Sequence, residues 1–373
     1  MKKTLVTVSI LVIALFLMWS ANSRTSPKKD VASFSFHAER DHSIQTKDYA
    51  TEAVIGGIGD ILIHDTVYED AKTEQGYDFT SMFSPVKPTL QKPDLLIANQ
   101  ESVPGGESLG ISTYPTFNSP YQIVDALMDS GVDMVTAANN HSLDKGQEGI
   151  LKAISYYESK NLPYTGMYKS PEDKADMRIV DVNGIKFAIL AYAEHFNGIP
   201  VPAEKEYLVS PLEKDAILAD IAKAESKADV VVLAVHWGDE YVREPNNNQK
   251  KLAQEFIYNG ADIILGHHPH VLQPMEMIKQ KDGGEGLVVY SLGNFLSGQI
   301  WDFKDIGGMV EILVEKRVTG SQVHVSLKDI EFHPTFTASK GFRNYQIYPL
   351  DEANAKGFTN ESKASIRQFM QIP

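Results

Sequence analysis

The chain has 373 residues, with 35 Lys plus Arg against 49 Asp plus Glu and no Cys. Its formal net charge of −14 argues against a nucleic-acid partner, because phosphate backbones are gripped by clustered Lys and Arg, and the arginines here are few and scattered. The lack of Cys excludes disulfides, thiolate metal ligands, a Cys nucleophile and a lipidated Cys anchor, so any metal must be held by His, Asp, Glu and Asn.

At the start of the chain, Met1-Lys2-Lys3 precedes an uncharged run from Thr4 to Ala21. A basic start followed by such a run is an export segment, and a length close to the ~17 to 25 residues that span a bilayer favours a retained signal anchor over 1–21. The lysines favour an inside start, so the remainder is expected outside the cell membrane; cleavage near Ala21-Asn22-Ser23 would instead leave a secreted protein. Residues 22–51 are rich in Ser, Lys and Asp without an apolar period and read as a polar linker, in which His37 and His42 are solvated.

The folded domain is expected over 52–336. Thr51 to Ile63, Leu95 to Ala98, Met134 to Ala138, Val230 to Val235 and Ile263 to Leu265 read as buried strands. Pro120 to Ser130, Gln147 to Lys160, Leu212 to Lys227 and Asn247 to Asn259 carry apolar residues at helical spacing, and the alternation predicts an α/β fold. Asn183-Gly184 between two apolar runs predicts a hairpin, as does Asp282-Gly283-Gly284, so mixed sheets packed face to face with helices outside are expected. Residues 337–373 read as a polar tail with a short helix over Glu361 to Phe369.

Chemistry in such folds collects in loops just past the carboxyl ends of strands. Here those loops carry Gly59-Asp60 and then His64, Asn99-Gln100-Glu101, Asn139-Asn140-His141 with Asp144, His236-Trp237-Gly238-Asp239-Glu240, Gly266-His267-His268-Pro269-His270, and Ser291-Leu292-Gly293-Asn294. Singly, each has a structural reading: Asp60 as a helix cap, Asn139-Asn140 as a turn, His141 or His236 as a hydrogen-bonded core histidine. The triple-His segment is harder to explain that way. Three neighbouring imidazoles repel as pH falls toward ~6.5, and a divalent cation removes that cost.

In this order, Gly59-Asp60, Asn99-x-Glu101, Asn140-His141-x-x-Asp144-x-Gly146, His236-Trp237-Gly238, Gly266-His267-His268-Pro269-His270 and Ser291-Leu292-Gly293-Asn294-Phe295 resemble the CapA/PgsA family of poly-gamma-glutamate capsule proteins. That family in turn resembles calcineurin-like metallophosphoesterases. The resemblance implies a two-sheet α/β/β/α sandwich of the metallo-dependent phosphatase type, and a metal-dependent hydrolase using one or two divalent ions, Mn, Zn or Fe. Asp60 would bind one metal, Glu101 would stand at the bridging position, Asn140 would bind the second, and His236, His268 and His270 would complete the set, with His141 as general acid. The usual Asp-x-His of the first strand is broken by Leu62, which leaves His64, His267 and Asn99 as further candidate ligands, and the Asp-x-x-Asp of the second strand is missing. Substrate contacts are expected from Asn294, Arg243 and Trp237, and from the long loop Ser102 to Ser119, although Trp237 reads equally as core and Asn294 as a turn cap.

The function so implied is that of a membrane-anchored, outward-facing protein acting in capsule synthesis or export. Its partners would be a capsule synthetase/export complex, which must supply the ATP-driven step because the chain has no P-loop, and an anionic polymer or a phosphoester substrate. Two other readings stand beside it: an independent secreted phosphatase or phosphodiesterase, and a non-catalytic scaffold with a degenerate metal site.

Overall fold

A computed structural model describes residues 48–372; the expected anchor and the linker up to residue 47 lie outside the described residues. Its strands, in chain order, are β1 (Tyr49–Leu62), β2 (Lys72–Thr73), β3 (Gly76–Tyr77), β4 (Leu95–Gln100), β5 (Met134–Thr136), β6 (Tyr164–Thr165), β7 (Arg178–Val182), β8 (Ile185–Ala193), β9 (Val230–His236), β10 (Ile263–His267), β11 (Leu272–Lys279), β12 (Glu285–Leu292), β13 (Asn294–Ser297), β14 (Ile306–Thr319), β15 (Gln322–Ala338) and β16 (Gln346–Pro349).

Two sheets dominate. The first runs β16-β15-β14-β1-β4-β5-β6, with β13 pairing the end of β1, and the second runs β11-β12-β10-β9-β8-β7. β1, β4, β5 and β6 are parallel, as are β8, β9, β10 and β12, while β14 to β16, β11 and β7 add antiparallel edges.

Strand periodicity explains the layering. Side chains alternate between the faces of a sheet, so Val230 and Val232 of β9 enter a cluster shared with Ile55 of β1, Leu95 and Ile97 of β4 and Val310 of β14. Val231, Leu233 and Val235 point the other way and pack on Ile217 and Ile221 of helix Lys214–Glu225 and on Leu252 and Phe256 of helix Asn247–Tyr258. On the first sheet, Ile58, Leu96, Ala98 and Val135 meet Ile123, Val124 and Leu127 of helix Gln122–Ser130 and Ile150, Ala153, Ile154 and Tyr157 of helix Gly146–Ser159. The expected α/β/β/α layering is therefore present, with one apolar cluster between the sheets and one under each helical layer.

Local chemistry sets the boundaries. The Asn246 side chain accepts from the Gln249 amide while the Gln249 side chain accepts from the Asn246 amide, a capping box that starts helix Asn247–Tyr258. The expected hairpin at Asn183-Gly184 forms with φ of 54° and 82°, the left-handed pair that a tight turn requires.

Two expectations need correction. β1 begins at Tyr49, two residues before the expected linker ends. The 337–373 segment is no tail: β16 pairs with β15, and Leu350, Ala353, Ile366 and Met370 are buried in the inter-sheet cluster. Pairs of apolar residues so widely separated by polar ones carry no period that a sequence reading detects.

Close backbone approach explains one glycine. A Cβ at Gly266 would lie 2.0 Å from the Tyr290 carbonyl oxygen and 2.6 Å from that of Val289. Gly266→Ala must push β10 from β12 at the base of the histidine loop, so we expect a loss of about 3 kcal/mol, read as a lower midpoint in denaturant at unchanged slope.

Candidate metal centre

The site forms where β1, β4, β5, β9 and β10 end together. The register of β1 against β4 shifts between Ile58 and Asp60, and against β13 between Asp60 and Ile61, so a bulge re-aims Asp60 at the strand end. The chain then places Glu101 after β4, Asn140 and His141 after β5, His236 at the end of β9, and His267, His268 and His270 at and after the end of β10. Asp60 and Glu101 have no exposed surface, and Asn140, His236, His268 and His270 are buried.

Ligand atoms converge in three overlapping groups: Asp60, Glu101 and His270; Glu101, His236 and His268; and Glu240, His268 and His270. Nε2 of His236 lies 3.0 Å from Asn140 Oδ1, 3.1 Å from His268 Nδ1 and 3.5 Å from Glu101 Oε1. His270 Nδ1 lies 3.3 Å from Asp60 Oδ2, and its Nε2 lies 3.7 Å from Glu101 Oε1. Two of these histidines hold left-handed backbones, with φ of 97° at His268 and 59° at His270. Such conformations cost about 1–3 kcal/mol each in a non-glycine residue and cluster at functional sites.

Charge in the cluster is poorly balanced without a cation. Both Glu101 carboxylate oxygens are buried with no hydrogen-bond donor, and burial pushes this carboxyl well above its ordinary pKa. Burial would raise Asp60 too, but hydrogen bonds and positive charge from His267 and His270 hold it well below the carboxylate range. Against its own burial, His270 is raised to about 9 by Glu101 and Asp60. His236 and His268 are pushed down, first by burial and then by neighbouring imidazoles, His268 to about 3. The cluster thus offers neutral imidazoles at His236 and His268 and a carboxyl at Glu101 without a donor, the donor set of a divalent cation of the Mn, Zn or Fe type. The residues fit the ion.

Several expected site residues act one step back. Asn99, a candidate ligand, donates through Nδ2 to Asp60 Oδ1 at 2.9 Å, and Asn294, an expected substrate contact, accepts through Oδ1 from His270 Nδ1 at 3.0 Å, so each orients a ligand. His267 Nδ1 is 3.2 Å from Asp60 Oδ1 but belongs to none of the three groups. His64 turns away: its Nδ1 lies 3.1 Å from the Leu62 carbonyl and 3.2 Å from the Gly298 amide, and it stands outside those groups, in the cleft wall.

Two substrate contacts are overturned. Trp237 is fully buried, its indole N–H donating to the Tyr290 carbonyl at 3.0 Å under the helical layer of the second sheet. The Arg243 guanidinium is sandwiched between the rings of Phe303 and Phe369, 3.9 and 3.8 Å from their centroids, which occupies the cation expected to meet an anionic substrate.

A cleft of about 390 Å³ opens onto the cluster, lined among others by His64, Phe117, Asn140, His141, Glu240 and Tyr241. Asp144 Oδ2 lies 2.7 Å from His141 Nδ1 and accepts from the Phe117 amide at 2.6 Å, while the Phe117 ring packs edge-on against His141. The loop Ser102 to Ser119 therefore helps to seat His141. Asn118 fixes that loop, accepting from the Gly105 amide and donating to the carbonyls of Gly106 and Gly110. Sequence reasoning missed Asn197 and Gln299 in the cleft wall; Asn197 follows the end of β8, a strand end whose polar loop was the available signal.

A model of the family described as bacterial capsule synthesis protein PGA_cap matches residues 54–299, about two thirds of the chain. The chain belongs to this family. Every residue of the cluster, from Asp60 to Asn294, lies inside the matched span. The chain is 31% identical over 240 residues to the capsule biosynthesis protein CapA of Bacillus anthracis, covering 63% of this chain and 57% of that protein. It is 28% identical over 339 residues to the PGA biosynthesis protein CapA of Bacillus subtilis (strain 168), covering 86% and 78%. The match thus spans little more than half of the B. anthracis relative. Among solved structures, the chain is similar to the calcineurin-like phosphoesterase YfkN from Bacillus subtilis, with TM-score 0.45 and 14% identity over 87% of this chain and 96% of that chain. It is also similar to a 5'-nucleotidase precursor from Thermus thermophilus, with TM-score 0.46 and 14% identity over 76% and 54%.

Proposed function

We propose that this family member is a metal-dependent hydrolase of the phosphoester class that acts in poly-gamma-glutamate capsule synthesis, tethered by its N-terminal apolar run with the domain outside the cell. The observation that carries the hydrolytic reading is the Glu101 carboxylate, buried without a donor and within reach of Asp60, His236, His268 and His270. The capsule role rests on the family and on the names of its relatives.

Asp60, Glu101, Asn140, His236, His268 and His270 would hold the ion or ions. A divalent cation held there supplies Lewis-acid charge for a developing oxyanion and makes water a usable nucleophile near neutral pH. The rest falls to the chain's own side chains. Asn99 and Asn294 keep Asp60 and His270 aimed inward, Phe117 and Tyr241 wall the cleft, and His141, oriented through Nδ1 by Asp144, delivers a proton to the leaving group.

The cleft also bears on the substrate. Among the described residues that line it there is no Lys or Arg, so outside the cluster itself a long polyanion would find no row of cations along the cleft. This favours a small ester as the reacting group over the assembled polymer.

Metal analysis of the purified chain, with turnover of an aryl phosphomonoester and diester in Mn or Zn, tests the hydrolytic reading; a metal-loaded protein inert on both would leave a binding protein. His141→Ala is expected to lower turnover by about 10²–10⁴ at unchanged metal content. Equal loss of metal and turnover would make His141 a ligand. Deleting the protein in its host and measuring released and cell-bound polyglutamate tests the capsule role, which an unaffected polymer would remove.

A further inference from the structure

Side chains alternate along β15, so Phe332 enters the core between the sheets while Glu331, His333 and Thr335 share the opposite face. On that face a cavity of about 340 Å³ opens against β13 and β14 and against the helices Lys87–Leu90 and Leu350–Ala355. Its floor is apolar, with Val86, Leu90, Phe295, Met309 and Leu350 all buried. Close-packed folds leave few gaps larger than a water molecule, and pockets that take small molecules begin at about 300 Å³, with mostly apolar walls and a few placed polar groups.

The polar groups of this cavity are cationic and neutral on balance. The Thr335 hydroxyl is buried and has no hydrogen-bond partner among the described residues. Lys92 and Lys363 line the same space, and among the described residues neither enters an ion pair. Burial lowers the pKa of His333, Glu311 and Glu331 raise it, and the charges of Lys363 and Lys92 lower it again, so both ammonium groups bear on the end of the cavity where His333 stands. The two acidic residues of the wall have partners: Glu331 Oε2 lies 3.7 Å from His333 Nε2, and Asp351 Oδ1 accepts from the Lys363 amide at 3.3 Å. No residue of this cavity lines the metal cleft.

We propose that the cavity is a second ligand site, which binds a small organic anion with its apolar body on Phe295 and Met309 and its head at Lys92, Lys363 and the Thr335 hydroxyl. A cavity of ~150 Å³ accepts benzene, so this one suits a ligand of about ten non-hydrogen atoms. A lysine ammonium is a point charge and accepts a carboxylate or a phosphate ester alike. The proposal does not depend on the metal centre.

The test is binding of octanoate and of octyl phosphate to the full chain by titration calorimetry, with the thermal midpoint as second readout. Octanoate is expected to bind at one site and to raise the midpoint as its concentration rises, whereas acetate, which lacks the body, and octylammonium, which reverses the charge, should do neither. Lys92→Gln with Lys363→Gln should weaken octanoate at least about tenfold and leave the ligand-free midpoint in place. Thr335→Val should also weaken it, without lowering that midpoint, because the hydroxyl has no protein partner to lose. Tighter binding of octyl phosphate than of octanoate would assign a phosphate ester as the head. Octylammonium binding as well as octanoate, octanoate held equally by the double lysine variant, which would mark an adventitious additive only, or no binding of either anion would overturn the proposal.

Discussion

Replacing His268 and His270 together by alanine removes divalent metal from the chain. The pair contributes to all three ligand groups, so no group keeps its donors once both imidazoles are gone. Binding energy at such a site is also folding energy, because the unfolded chain offers no formed site. The stabilisation conferred by excess ion, about 2.7 kcal/mol at a hundredfold over Kd, is therefore expected in the wild type and absent from the double variant. Relief of backbone strain does not offset that loss: alanine keeps the β-carbon that disfavours the left-handed conformations at 268 and 270, so little of the strain is recovered. Elemental analysis after dialysis reads the outcome, and unchanged stoichiometry would reject the site as drawn.

Glu101→Gln should change stability in opposite directions with and without metal. In the metal-free protein the carboxylate is buried with no donor to either oxygen, and burial raises its pKa well above the ordinary value of 4.5. A carboxyl whose folded pKa is raised binds its proton more tightly in the folded state. Its contribution to stability is complete below about 4.5 and is lost as pH rises from there through the raised folded value, at about 1.4 kcal/mol per pH unit. His270, raised to about 9, loses stability with rising pH in the same sense between about 6.5 and 9, while His236 and His268, both lowered, gain it only as pH rises toward about 6.5. Because Glu101 also helps to raise His270, the difference between Glu101→Gln and the wild type reports the carboxyl together with its share of the His270 shift. That difference should favour the glutamine variant increasingly above about pH 4.5, by at least about 1 kcal/mol at about pH 7. In saturating Mn²⁺ the order should invert, since the variant loses the carboxylate shared by two ligand groups. Chemical unfolding with chelator and with Mn²⁺ measures both, and one order under both conditions would show that Glu101 has no part in holding a cation.

Much of the site was legible from residue type and place. Asp60, Glu101, Asn140, His236, His268 and His270 each follow an apolar strand, and parallel strands in a packed α/β layer deliver their carboxyl ends to one edge. What spacing along the chain does not carry is direction. Trp237 and Arg243 sit beside His236 in sequence, yet one points under the helices and the other between Phe303 and Phe369. His64 follows Asp60 closely, but its Nδ1 is held between the Leu62 carbonyl and the Gly298 amide, the latter 234 residues further along the chain. The C-terminal segment was misread for a related reason, since Leu350, Ala353, Ile366 and Met370 become core only when β16 docks on β15.

Taken alone, the order of residues specifies the class of fold, the succession of strands and helices, and the kinds of donor on offer, because local period and the absence of Cys are properties of the covalent chain. Which donors meet, which stand behind them and which belong to the core is a consequence of packing. Side chains far apart along the chain share one ion's reach only once two sheets pack face to face, and the bulge at Asp60 together with the left-handed turns at His268 and His270 settles where each points.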